Sequence, residues 1–287
     1  MDIKKTLMGR DSLPIRKFDF NWMVPNPSIC LIAKRGSGKS WLVKDLLNYF
    51  RNIPGGVIIA PTDRMSSFYK KFFPDLYIFY EYDSNHIANI LYRQEEMIEK
   101  CKYKAKKKKK VDPRALLIMD DCLATKGTWM KEPSMINILQ NGRHYKLTYI
   151  LTMQYSLGIK PELRSNFDYV FLLADDFQSN QKRLYDHYAG MFPNFNSFRD
   201  VFIKLTQNYG AMVIANRGAK ANILDKVFWY KAKKVDIDRI GCKQFNKYNK
   251  WNYDEKWRTK NRQFDIQKYI EDKKSSQLNV EKIYNDD

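Results

Sequence analysis

The chain has 287 residues, 44% of them apolar, which is long enough to bury a substantial core and allows one large or two small domains. Lys and Arg number 51 against 32 Asp and Glu, a net charge of +19 that points to a polyanionic partner, nucleic acid or an acidic membrane surface, with lysine-rich composition and solubility as the neutral account. Cys30, Cys101, Cys122 and Cys242 lack the CxxC spacing of a zinc site or disulfide frame, no charge-free run approaches the roughly 18 residues of a membrane span, and the Met-Asp-Ile-Lys-Lys start has no apolar signal core, so a soluble, intracellular protein without membrane insertion is expected.

In chain order, residues 1–27 contain Pro14, Pro25 and Pro27 and read as an irregular arm, whose Phe18, Phe20, Trp22 and Met23 can pack on the domain or on a neighbouring subunit. The stretch Ser28 to Ser40 comes next. Ile29, Cys30, Leu31 and Ile32 read as a buried strand, Gly36 and Gly38 as a tight turn, and Lys39 onwards as a helix carrying Leu42, Val43, Leu46 and Leu47. Such a turn cradles a triphosphate. Inward backbone N–H groups, a helix N-terminus, a lysine for the terminal phosphates and a hydroxyl for Mg²⁺ are what those charges require, and Gly36, Gly38, Lys39 and Ser40 supply them in order. The expected nucleotide-binding set is Arg35, Gly36, Ser37, Gly38, Lys39, Ser40 and Trp41. Ala33 stands where the first glycine of the pattern is usual, which an ordinary backbone angle tolerates.

A second strand is predicted at Val57 to Ala60 and a third at Tyr77 to Tyr80, with Asp83 or Ser84 capping the helix that carries Ile87, Ile90, Leu91, Met97 and Ile98. That helix runs into Lys102, Lys104 and the unbroken run Lys106 to Lys110. Adjacent like charges keep such a run in solvent, as a surface connection or as a phosphate-backbone or subunit contact. Ala115 to Asp121 then gives an apolar central strand ending in two carboxylates, which lie beside the phosphate loop if the sheet is parallel. Asp120 would hold Mg²⁺ through its water shell and Asp121 would orient the attacking water. Ser134 is the expected cap of a helix ending near Asn141-Gly142-Arg143. The strand from Leu147 ends in Gln154, either a sensor of the γ-phosphate or a satisfied strand-end amide. A further strand at Tyr169 to Leu173, a helical, aromatic stretch from Asp175 to Phe202, and a late hairpin of Ala211 to Ala215 with Val227 to Tyr230 complete seven or eight strands. The expected division is an arm (1–27), a motor domain (28–230) and a basic, aromatic C-terminal extension (231–287). Trp251, Trp257, Tyr248 and Tyr253 are interleaved there with lysines, as on nucleic-acid contact segments, or pack back on the domain.

On Ala33 to Ser40, Leu116 to Asp121, Gly142-Arg143-His144 ahead of Thr152-Met153-Gln154, and Asn208 to Ile214, the chain resembles the genome-packaging ATPases of large nucleo-cytoplasmic DNA viruses. These are the poxvirus-type packaging ATPases of the FtsK/HerA superfamily. The arginine eleven residues ahead of the strand-end glutamine points to that superfamily, since the first two motifs belong to many phosphate-loop enzymes. The resemblance covers about residues 10 to 230. It implies an α/β P-loop NTPase with a mostly parallel central sheet of RecA-like or FtsK/HerA type, helices on both faces and a basic C-terminal tail.

It also implies an ATPase using ATP and Mg²⁺, with Lys39 and Ser40 on the phosphates and metal, Asp120 as metal-associated acid, Asp121 as catalytic carboxylate and Gln154 as sensor. Arg143 is implied as an arginine finger reaching the neighbouring subunit's nucleotide, with Arg164 second. Many members carry glutamate at the position of Asp121, which leaves open whether Glu132 assists; Arg35 acts on the nucleotide in cis or faces solvent. The implied partners are double-stranded DNA bound without regard to sequence, like subunits in a ring of five or six, and capsid or virion membrane proteins. The implied location is the viral factory in the host cytoplasm and the virion. Two other classes share the phosphate loop: a nucleotide kinase, and a nucleotide-binding scaffold for virion assembly. His86, His144 and His187 are isolated, which gives no support to a nuclease.

Overall fold

The computed structural model describes residues 13–122, 128–155, 158–218 and 222–256. Trp257, Arg258, Lys260 and Arg262 of the expected basic tail lie outside the described residues. Among the described residues eight strands form one sheet: β1 (Ser28–Ile32), β2 (Gly56–Ile59), β3 (Ile78–Phe79), β4 (Ala115–Asp120), β5 (Leu147–Met153), β6 (Tyr169–Leu173), β7 (Gly210–Ala215) and β8 (Val227–Lys231). Their order is β3-β2-β4-β5-β1-β6-β7-β8. The first six are parallel, whereas β7 runs against β6 and β8 against β7.

The apolar runs become central strands because both faces of the sheet are covered. Successive side chains point to opposite faces, so Ile29 and Leu31 enter one core while Cys30 and Ile32 enter the other. The first core is closed by α1 (Lys39–Tyr49), through Leu42, Val43, Leu46 and Leu47. The second is closed by α3 (Ser84–Lys106), α4 (Pro133–Asn141), α6 (Gln178–Tyr188) and α7 (Phe195–Thr206). Two short helices, α2 (Asp63–Ser66) and α5 (Pro161–Arg164), lie in connections.

Local chemistry fixes the ends. The carboxylate of Asp83 accepts from the Asn85 backbone N–H at 2.8 Å, and the Asn194 side chain accepts from the Ser197 N–H at 2.8 Å, starting α3 and α7. Helix α4 starts before the expected Ser134 cap, because Pro133 occupies its first position, where a missing N–H costs nothing, and Glu132 precedes it. Between α6 and α7 the predicted helical stretch is broken at Gly190 and Pro193. The third strand is two residues rather than four, as suits a sheet edge.

Gln94 of α3 is fully buried and donates to the Pro113 carbonyl at 2.9 Å and the Tyr145 carbonyl at 2.7 Å. It ties α3 to the segments leading into β4 and β5. Residues outside 28–230 share the core: Phe18 and Phe20 are buried in it, the Phe18 N–H donates to the Trp229 carbonyl at 2.8 Å, and Ile237 and Ile240 are buried too. Phe245 of α8 (Lys243–Asn252) stacks on Tyr77 with ring centroids 4.3 Å apart, whereas Trp251 is 70% exposed.

Close strand packing makes one glycine obligatory. A Cβ at Gly56 would lie 2.3 Å from the Leu116 carbonyl oxygen in the neighbouring strand. Gly56→Ala is therefore expected to destabilise the fold by about 1–3 kcal/mol, read as a lower urea midpoint with an unchanged slope.

Candidate nucleotide-binding and catalytic site

The parallel register brings the site together. Ile32, the last residue of β1, pairs with Met153, and Asp120, the last of β4, pairs with Thr152, so the phosphate loop, the paired acids and Gln154 leave the sheet on one edge. Gly36 (φ 81°) and Gly38 (φ 98°) hold the left-handed conformations that turn the loop, and Gly38 precedes α1 with no side-chain cap. The first N–H groups of that 11-residue helix are thereby left for an anion. Ala33 is buried, its backbone angle is not left-handed, and its N–H donates to the Met153 carbonyl at 3.0 Å, so the methyl group in place of glycine is accommodated. The Ser37 hydroxyl donates to the Lys34 carbonyl at 2.6 Å and stabilises the turn, while Arg35 and Ser40 are exposed on the loop and the first helical turn.

Lys39 lies at the centre of the polar network. Its ammonium pairs with Asp121 Oδ2 and, at 3.2 Å, with Asp120 Oδ1. Asp120 is further held by the Thr152 hydroxyl on Oδ1 and by the Tyr69 hydroxyl on Oδ2 at 3.0 Å. Burial, reinforced by the Asp120 charge, pushes the Tyr69 phenol well above its ordinary value, so it remains a donor. Asp121 turns out of the strand with φ 53°, a conformation that a short polar side chain tolerates, and its N–H donates to the Thr152 carbonyl and hydroxyl at 3.3 Å each. Gln154 Nε2 donates to Asp121 Oδ2 at 3.0 Å, while Asp121 Oδ1 is buried with no hydrogen-bond partner. A buried acceptor of this kind suits a polar guest such as a water or a hydroxyl. Lys39, Asp120, Asp121 and Gln154 thus form one connected group.

These residues line an open cleft of about 1140 Å³, with Trp41, Tyr209, Lys231 and Lys234. Among the described residues no group of three or more His, Cys, Asp or Glu gathers to hold a metal ion unaided. Ser40 and Asp120 both line the cleft and carry the oxygen donors that suit Mg²⁺, a hard cation that keeps several waters and takes its other ligands from phosphate oxygens.

The remaining candidates are elsewhere. Arg143 is exposed in the turn leading into β5, at the sheet edge opposite the phosphate loop. Arg164, the second finger candidate, is buried and committed: its Nε donates to the Ile159 carbonyl at 2.8 Å and its Nη1 lies 2.8 Å from His187 Nδ1. Burial and that guanidinium hold the His187 imidazole below its ordinary value. The structure therefore gives Arg164 a packing role in this chain. Glu132 accepts from the Tyr82 hydroxyl at 2.6 Å and does not line the cleft. Sequence reasoning missed Tyr69, Tyr209, Lys231 and Lys234. Only the Asn208-Tyr209-Gly210 turn before the late strand carried a local signal for any of them.

The chain has relatives among known proteins. Residues 15–187 match the family described as Poxvirus A32 protein. An uncharacterized protein of Acanthamoeba polyphaga mimivirus is 52% identical over 246 residues, covering 86% of each chain. An uncharacterized protein of Invertebrate iridescent virus 3 is 34% identical over 258 residues, covering 84% of this chain and 95% of the other. The genome packaging NTPase B204 from Sulfolobus turreted icosahedral virus 2, in complex with AMPPCP, superposes with a TM-score of 0.50 at 16% identity, over 74% of this chain and 100% of that one. At that identity the likeness speaks for the fold, an α/β P-loop ATPase sheet with helices on both faces. The poxvirus-type resemblance read from the motifs thus holds over most of the chain, and the protein belongs to the Poxvirus A32 protein family.

Proposed function

We propose that this protein is an ATPase that drives double-stranded DNA, regardless of its sequence, into a viral capsid, and that it works as a ring of five or six like subunits. One observation carries the reading: Lys39, Asp120, Asp121 and Gln154 converge beside an uncapped helix N-terminus in a cleft large enough for a nucleoside triphosphate. Family membership, and the fold shared with B204, a genome packaging NTPase, support the cargo. In the proposed reaction the loop N–H groups and Lys39 bind the β- and γ-phosphates. A water held at Asp121 attacks the γ-phosphorus and passes its proton to that carboxylate while the bond to the β–γ bridging oxygen breaks and ADP leaves. Gln154, hydrogen-bonded to Asp121, orients that carboxylate and senses the γ-phosphate. Mg²⁺, bound through Ser40 and the waters on Asp120, would supply charge neutralisation on the phosphate oxygens.

The cargo contact is proposed for the opposite edge. Lys106 to Lys110 are exposed where α3 ends, and contacts to phosphates alone suit a motor that must pass over any sequence. Capsid or virion membrane proteins are proposed as docking partners in the viral factory and the virion; no helix among the described residues is long and apolar enough to cross a membrane.

The test is ATP hydrolysis over a range of protein concentrations, with and without long duplex DNA. The expected result is stimulation by DNA and a dependence on protein steeper than first order. A rate linear in protein and indifferent to DNA would overturn the proposal. Replacing Lys106 to Lys110 with glutamine is expected to weaken DNA binding at low salt and to flatten the slope of log affinity against log salt by about 0.9 for each DNA phosphate that is no longer neutralised.

A further inference from the structure

The antiparallel strands bring a second wall to the nucleotide cleft. Because β7 runs against β6, its first residue, Gly210, arrives at the edge where β1, β4 and β5 end, and Lys231, its partner in β8, arrives there as well. The chain reaches Gly210 from α7 through a turn in which Asn208 (φ 53°) and Tyr209 (φ 64°) are both left-handed. For a bulky side chain such as tyrosine this is a strained conformation, and residues held so cluster where function demands it. A Cβ at Gly210 would lie 2.2 Å from the Leu205 carbonyl oxygen, so the backbones of α7 and β7 meet here at the limit of contact.

The strain puts the Tyr209 ring on the phosphate loop. A Cβ built on Gly38 would lie 3.4 Å from both Cβ and Cδ1 of Tyr209, so the tyrosine covers the glycine that precedes Lys39. Yet Tyr209 is 69% exposed as a residue, and Trp41, two residues beyond Lys39 on α1, is 54% exposed in the same cleft. Two large rings held open to solvent beside an anion site leave unburied apolar surface that a flat aromatic guest would cover.

We infer that Tyr209, together with Trp41, is the base platform of the nucleotide site, taking the nucleobase by stacking while the loop takes the phosphates. The inference rests on the triphosphate reading of the same cleft. Stacking reads the face of a base and not its hydrogen-bonding edge, and every base offers such a face. The platform therefore accepts nucleoside triphosphates as a class, purines above pyrimidines for their larger rings, with little choice between adenine and guanine. The left-handed turn is then a positioning device for a side chain that touches the substrate.

The experiment measures binding of ATP, GTP and inorganic tripolyphosphate to the full chain, as wild type, Tyr209→Ala, Tyr209→Phe and Lys39→Ala. Tyr209→Ala is expected to weaken ATP and GTP alike by about tenfold or more and to leave tripolyphosphate unchanged, while Tyr209→Phe keeps wild-type affinity. In the wild type, ATP should quench Trp41 fluorescence and tripolyphosphate should not, and the ATP quench should disappear in Trp41→Phe. Equal weakening of ATP and tripolyphosphate by Tyr209→Ala would overturn the platform, because the tyrosine would then be supporting the loop. So would no weakening of either. Failure of the triphosphate reading looks different: neither ligand binds the wild type, or Lys39→Ala changes the affinity of neither, and the platform falls with it.

Discussion

Lys39→Ala is expected to lower ATP turnover by at least about a hundredfold to a thousandfold, the range seen when one fixed stabiliser of transition-state charge is removed. Two effects add. The terminal phosphates lose their cation, and Asp120 and Asp121, both largely buried, lose the ammonium that pairs with each of them. The two carboxylates then face an incoming polyanion without compensation, so affinity for ATP should fall along with turnover. The check is steady-state hydrolysis beside a thermal melt that establishes a folded variant. A folded Lys39→Ala protein keeping more than about a tenth of wild-type turnover would refute the assigned chemistry.

Arg143→Ala is expected to reduce hydrolysis by the assembled protein by about a thousandfold or more while leaving ATP binding to the single chain intact. The reason is geometric. Arg143 lies ahead of β5 and Gln154 just behind it, so the seven residues of the strand, roughly 23 Å at about 3.3 Å each, separate this arginine from the chain's own site. On the proposed ring, its catalytic work is done on another subunit's nucleotide. A mixture of Lys39→Ala and Arg143→Ala subunits should therefore recover activity, since an intact arginine can serve an intact phosphate loop across the boundary between them. Co-assembly without recovery would remove the role from Arg143.

How much of this was legible from the sequence depended on whether the information was local. Gly36, Gly38 and Lys39 between a strand and a helix, and Asp120 and Asp121 at the end of an apolar run, are contiguous patterns, and each dictates its own geometry. The parallel sheet followed from the alternation of apolar strands and amphipathic helices. Tyr69 was one aromatic among many in residues 64–82. Its role is created by the packing that carries it to Asp120, which leaves no trace in spacing. Tyr209 was hidden for another reason, as β7 runs against β6 and so brings its first residues, not its last, to the edge where β1, β4 and β5 end, while Lys231 reaches that edge as the last residue of β8. Arg164 misled because an arginine next to a strand carries no mark of its burial, which only the partners Ile159 and His187 reveal.

The buried Gln94 has a mechanical consequence. A single amide, closed off from water and bonded to carbonyls at Pro113 and Tyr145, clamps the connection that follows the lysine run and the turn that carries Arg143 to the same helix. Displacing either segment alone would break a hydrogen bond to an amide that is itself fully buried, which is costly. A load on the lysines would accordingly be transmitted as the movement of a stiff body to the arginine turn. Under the proposed function, traction on the cargo and the timing of a neighbour's hydrolysis would then share one moving part.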